Sequence, residues 1–282
     1  MTGLAGPDGT AVVLGAGGVV GTAWMSGLAA GLRRQGVDLA QSDAIVGTSA
    51  GAIVGAMLTT GRDLDLLAEP PRPTGPAPKR DSGVFAEVFA VLTEPELAPE
   101  IARRRVGQLA ISADTDSEEA QIDRMDSLVA ARDWPPGTLL VTAVDAETGQ
   151  RRVWDREDGV PLLSAVASSM AFPGASPTIT INGRRYMDGA LWSSTNADLA
   201  TGARTVVVID PQAHLFPREP LHRELDVSGA DSTVMINPDR AAIDDFGPDL
   251  NDRKAWQPAY RAGTRQAAEA VEQLRTAYRV DR

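Results

Sequence analysis

Gly47-Thr48-Ser49-Ala50-Gly51 has the G-x-S-x-G form and sits between a strand-like run, 43–47, and a small apolar helix-like run, 50–60. A serine on a sharp strand-to-helix turn stands its hydroxyl clear of a sheet, and neighbours without side chains let strand and helix close together. That is the nucleophile elbow of acyl transfer. The blander alternative is a tight turn with Ser49 capping the helix. Gly15-Ala16-Gly17-Gly18 ends a second apolar run, 11–15. A glycine loop opening a helix aims consecutive backbone N–H groups at one anion. In acyl transfer that anion is the tetrahedral oxyanion. Gly17 and Gly18 are the expected donors, assisted by the Ala50 N–H. Gly15, Gly47, Gly51 and Gly189 are expected to support the loop and elbow; close helix–strand packing is the plainer reading of the glycine loop. Asp188-Gly189-Ala190 follows two strand-like runs joined by Asn182-Gly183, a strong hairpin turn. Asp188 at a strand end can accept the Ser49 proton directly. An ordinary aspartate, with a pKa of about 3.9, is a weak base, so orientation and the oxyanion hole are expected to supply most of the acceleration. The alternative is a turn aspartate bonding its own backbone.

The elements that must hold these residues are legible in outline. Residues 1–60 read strand, loop, helix, strand, turn, helix, the opening of a parallel three-layer α/β fold. Prolines 70, 71, 73, 76 and 78 mark an exposed loop, and 82–133 reads as charged helix, so 62–137 is expected to be a Pro-rich loop and helical insertion. Phe85, Val88, Phe89 and Leu92 recur at helical spacing there, as an acyl-chain cap or as ordinary packing. Arg103, Arg104 and Arg105 read as a solvated face. Strands are expected at 138–144, 151–154, 178–187 and 204–210, an irregular stretch at 211–250, and an amphipathic C-terminal helix at about 252–280. Trp24, Trp154 and Trp192 read as core or rim. Residues 1–282 are expected to form one domain.

Composition narrows the chemistry. Of 282 residues, 43% are hydrophobic and 23% charged, a globular balance. Lys+Arg 27 against Asp+Glu 38 gives a net charge of −11, which argues against nucleic-acid binding and against electrostatic docking on anionic lipid. An apolar mouth making transient contact with a membrane surface stays compatible with it. With no cysteine and only His214 and His222, thiolate chemistry is absent and a histidine metal site is not expected. No metal or cofactor is expected. The first basic residue is Arg33, so no charged n-region precedes an apolar stretch, and the expected location is the cytoplasm.

In this order, the glycine loop, the elbow and Asp188-Gly189-Ala190 resemble the patatin-like phospholipase family. The likeness extends to Ala167-Ser168-Ser169-Met170-Ala171-Phe172-Pro173-Gly174, similar to the family's A-S-x-A-x-P segment, and to Asn196-Ala197-Asp198-Leu199-Ala200, Gly202-Ala203 and Val206-Val207-Val208. About 10–61 and 138–210 are covered. The resemblance implies a three-layer α/β/α fold with a mainly parallel sheet and a helical insertion. It also implies a Ser49–Asp188 dyad, an acyl-enzyme on Ser49, and hydrolysis of a lipid acyl ester. Val20 stands where members often carry Arg or Lys, and Met25 where many bacterial members carry His. The lost basic residue near the loop leads us to expect an apolar mouth that favours neutral or small acyl esters over anionic phospholipids.

Three rivals remain open on the sequence. An α/β-hydrolase triad would use Ser49, Asp188 and His214 or His222. A dinucleotide site would use Gly15-x-Gly17-x-x-x-Gly21 with Asp38. A non-catalytic protein would keep the fold alone.

Overall fold

The computed structural model describes residues 9–72 and 77–278. Pro73 and Pro76, and residues 279–280 of the expected last helix, lie outside the described residues. Strand β1 (Thr10–Leu14) leads through the glycine loop into helix α1 (Gly18–Arg34). Strand β2 (Ala44–Gly47) leads through the elbow into α2 (Ala50–Thr59). Three helices follow, α3 (Ser82–Leu92), α4 (Pro99–Ser112) and α5 (Glu118–Val129), inside the expected insertion. The chain then returns as β3 (Thr138–Asp145), β4 (Arg151–Trp154), α6 (Leu162–Ser169), β5 (Ile179–Ile181) and β6 (Arg184–Asp188). It ends with β7 (Thr205–Ile209), α7 (Glu219–Ser228), β8 (Ser232–Ile236), α8 (Arg240–Phe246) and α9 (Trp256–Tyr278).

The sheet runs β5-β6-β3-β2-β1-β7-β8, with β4 also paired to β3. From β3 to β8 all neighbours are parallel, while β4, β6 and β5 are added antiparallel. Parallel strands are buried on both faces, which is why β1 is apolar at consecutive positions. Val12 and Leu14 face one core, with α1, α2 and α9 residues, and Ala11 and Val13 face a second, with Leu221 of α7. The fold is therefore the expected three-layer α/β/α sandwich with a mainly parallel sheet.

The stretch 211–250 is not irregular, as expected, but contains α7, β8 and α8. Strand β8 lies at the sheet edge, and only Ile236 of its five residues is buried, so no alternation marks it. Its partner β7 imposes the strand, in parallel register from Thr205↔Ser232 to Ile209↔Ile236. Helix α7 turns Leu221 and Leu225, one turn apart, to the second core, but two leucines in a short and otherwise charged stretch are a small signal. The inserted helices are not peripheral. Met125 and Val129 of α5 join the main core, and Val106 and Ala110 of α4 pack with Val144 and Met187. Arg104 and Arg105 are exposed, but Arg103 is half-buried, donates to the Gly149 carbonyl at 2.8 Å and stacks over Trp192.

Candidate active site

The elbow is built by close approach. The first turn of α2 passes over the end of β1, and a Cβ on Gly51 would lie 1.9 Å from the Leu14 carbonyl oxygen. A Cβ on Gly47 would lie 2.7 Å from the Ala52 Cα. Ser49 sits between them with φ 55° and ψ −118°, a conformation that costs a non-glycine residue about 1–3 kcal/mol. The surrounding backbone holds this strain, and the Ser49 N–H donates to Ser169 Oγ of α6 at 2.8 Å. The Ser49 side chain makes no capping bond to α2, so the helix-cap alternative fails.

The Ser49 hydroxyl instead donates to Asp188 Oδ2 at 2.8 Å. Its other close neighbour is Met170 Sδ at 3.6 Å. Asp188 ends β6, and its other oxygen, Oδ1, accepts the Ala190 N–H at 2.8 Å. The two sequence readings of Asp188 do not exclude each other, since one oxygen closes its own turn and the other accepts the Ser49 hydroxyl. Asp188 is 2% exposed and Ser49 6%. Burial pushes the Asp188 carboxyl up to about 7, against the lowering pull of the Ala190 and Ser49 hydrogen bonds. The expectation of an ordinary weak base is corrected here, because the carboxyl sits in a site too dry to favour its charge. Gly189 follows with no room for a side chain, since a Cβ would lie 2.3 Å from Thr142 Oγ1.

The glycine loop lies beside the elbow because β1 and β2 are adjacent parallel strands, with Leu14 opposite Gly47. Gly15 and Ala16 spend their N–H groups on the carbonyls of Ile209 and Ser194, at 2.9 and 2.8 Å. These two bonds tie the start of the loop to the end of β7 and to Ser194. The N–H groups of Gly17, Gly18 and Ala50 have no acceptor among the described residues. Gly17 and Gly18 pack tightly: a Cβ would lie 2.7 Å from the Gly21 Cα at the first and from the Leu250 oxygen at the second, where φ is +59°. Helices α1 and α2 both begin without a capping side chain or an acidic residue in the first turn. Their N-terminal dipole ends are left uncompensated, which favours an anion.

Other expectations are corrected. Val20 and Met25 are 0% and 1% exposed, inside the α1 core, so neither side chain itself lines a mouth. His214 and His222 are exposed, and neither hydrogen-bonds to Ser49 or Asp188. His222 lies on α7, not in a loop. Asp38 holds the Ala40 N–H and Arg33 ahead of β2, not at its end where a ribose would need it. Among the described residues, no group of three or more His, Asp or Glu is placed to hold a metal ion. No helix among them is long and apolar enough to cross a membrane. Of Phe85, Val88, Phe89 and Leu92, Val88 is core, while Phe85 and Phe89 form a ring cluster with Phe172, centroids 5.2–5.8 Å apart. Phe172 lies two residues beyond Met170, so α3 is docked beside the site. Ser169 and Met170 were visible only as part of a resembling segment, without a role.

The sequence profile described as patatin-like phospholipase matches residues 12–201, a span that holds the loop, the elbow and Asp188. The chain belongs to the patatin-like phospholipase family. No curated protein matches the chain. Among solved structures it is similar to VipD from Legionella pneumophila, at 11% identity and a TM-score of 0.47, covering 94% of this chain and 66% of that one. It is also similar to the ExoU–SpcU complex from the type III secretion system of Pseudomonas aeruginosa, at 16% identity and a TM-score of 0.41, covering 98% of this chain and 53% of that one. The chain therefore spans about two thirds of the first and about half of the second. Membership of the patatin-like family rests on the matched residues.

Proposed function

We propose that the protein is a lipid acyl ester hydrolase with Ser49 as nucleophile and Asp188 as general base. The observation that carries this reading is the 2.8 Å hydrogen bond to a buried carboxylate from the hydroxyl of a strained Ser49 whose side chain makes no bond to its own helix. A carboxyl lifted to about 7 is a far better proton acceptor at neutral pH than an ordinary aspartate. In the proposed sequence, Asp188 takes the Ser49 proton as Oγ attacks the ester carbonyl. The oxyanion is held by the free N–H groups of Gly17, Gly18 and Ala50. Asp188 returns the proton to the departing alkoxide, leaving an acyl group on Ser49. It then takes a proton from water as that water attacks the acyl-enzyme, and gives the proton back to Ser49 Oγ as the acid leaves. A removed oxyanion donor typically costs about 10²–10³ in rate, so the free amides are as central to the reading as the dyad.

On this reading residues 1–282 act as one hydrolase domain on a lipid or acyl ester substrate, in the cytoplasm, with transient contact at a lipid surface and no cofactor. The test is p-nitrophenol release from esters of graded acyl length by the wild type, Ser49→Ala and Asp188→Asn. Turnover by the wild type, with both folded variants near background, supports the reading. An inert wild type, or an unaffected Ser49→Ala, refutes it.

A further inference from the structure

Asn196-Ala197-Asp198 is a resembling segment that the proposed chemistry does not use, and the fold brings it to the back of the dyad. Thr48, Thr142 and Asn196 are completely buried. The Thr48 and Thr142 hydroxyls hydrogen-bond each other at 2.9 Å. Asn196 Nδ2 donates to Thr48 Oγ1 at 3.1 Å and to the Ser193 carbonyl at 2.8 Å. Its Oδ1 accepts from Arg151 Nη1 at 3.2 Å, which fixes which way the amide points. Arg151, on β4, is in turn clamped by two bonds to Asp198, at 2.8 and 2.7 Å. Asn196 is held at φ +54°, a conformation asparagine tolerates better than most residues.

The placement of these groups is what matters. Ser49 follows β2 and Asp188 ends β6, and the two strands are joined only across β3. The Ser49–Asp188 distance is therefore set by how both ends seat on β3. Thr142 lies on β3 between them. It bonds Thr48, the residue before Ser49, and it abuts Gly189, the residue after Asp188, leaving no space for a Cβ. Nothing in the sheet ladder requires a hydroxyl at residue 142 or an amide at residue 196. A dry apolar contact would fill the same volume without directional bonds.

We propose that Thr142 and Asn196 are positioning residues that hold the elbow and the Asp188 strand in register, so that the Ser49 hydroxyl stays within hydrogen-bond reach of Asp188. The inference rests on the dyad reading above. It makes a claim that a packing role does not: loosening the tether lengthens the Ser49–Asp188 bond. That bond favours the ionised carboxylate, so losing it raises the Asp188 pKa further.

The test uses the full chain and two readouts. The first is the ¹³C titration of the Asp188 carboxyl, assigned by its loss in Asp188→Asn. The second is the rate at which a fluorophosphonate labels Ser49. Thr142→Val keeps shape and removes the hydroxyl; Thr142→Ser keeps the hydroxyl. The valine variant is expected to raise the Asp188 midpoint by about half a unit or more and to slow labelling by about tenfold. The serine variant is expected to restore both toward wild type. A folded Thr142→Val with the wild-type midpoint and labelling rate overturns the proposal. If that variant does not fold, Asn196→Gly, which accepts the positive φ, carries the same expectation and the same refutation. A wild type that no fluorophosphonate labels sinks the hydrolase reading, while the carboxyl titration still decides the tether.

Discussion

Replacing Asp188 by asparagine should make the protein more stable, and increasingly so as pH rises. The carboxyl moves from 3.8 to about 7 on folding, chiefly because burial disfavours its charge. Between those values the native state keeps a proton that the unfolded chain releases. The native state then binds more protons, and stability falls as pH rises. A shift of about three units corresponds to about 4 kcal/mol lost in full above the folded pKa. Of this, roughly 2–3 kcal/mol develops between about pH 5 and about pH 8. Asparagine fits the same space: its amide can donate to Ser49 Oγ and its carbonyl can accept the Ala190 N–H, the two contacts Asp188 makes now. The assay is urea unfolding of both proteins at the two pH values. Every other titrating group cancels in the difference between them. The variant's advantage should grow by roughly 2–3 kcal/mol from the lower to the higher pH, equivalent to roughly 4 °C in melting temperature. An advantage that is equal at both values, or shrinks, refutes the claim that Asp188 is buried at the cost of its charge.

Further expectations follow from the same geometry. For ester hydrolysis, kcat/KM should rise through about pH 7 as Asp188 ionises and then level off; a profile flat down to about pH 5 contradicts Asp188 as base. Gly51→Ala should destabilise by about 3 kcal/mol or more in urea unfolding, since the added Cβ would lie 1.9 Å from the Leu14 oxygen, and a near-wild-type midpoint contradicts the packing described. The double change His214→Ala and His222→Ala should leave hydrolysis within about twofold, because both side chains are exposed and neither hydrogen-bonds to Ser49 or Asp188. A near-complete loss would restore the histidine triad.

Much of this site was legible because its chemistry requires unusual backbone. Gly47, Gly51 and Gly189 are glycines for a reason that shows in spacing, namely strand, turn and helix passing within contact distance. The parallel core was legible because strands buried on both faces are continuous apolar runs, as in 11–14 and 206–209. What was not legible depends on partners distant in sequence. Strand β8 exists through its register with β7, not through its own exposed residues. The Asp188 pKa is set by surrounding bulk that no local motif records. Asn196 lies 148 residues from Thr48, so its bond to the elbow has no sequence signal beyond family likeness. Val20 and Met25 show the converse: they drew notice as departures from a family pattern, yet they are buried inside α1.

The central claim is that an acyl group passes through Ser49. The most direct measurement is mass spectrometry of peptides after mixing the full chain with a p-nitrophenyl ester and quenching in acid. The account predicts that the peptide containing Ser49 gains the mass of the acyl group, and that Ser49→Ala shows neither the adduct nor turnover. Turnover with no adduct at Ser49, or turnover undiminished in Ser49→Ala, would contradict it.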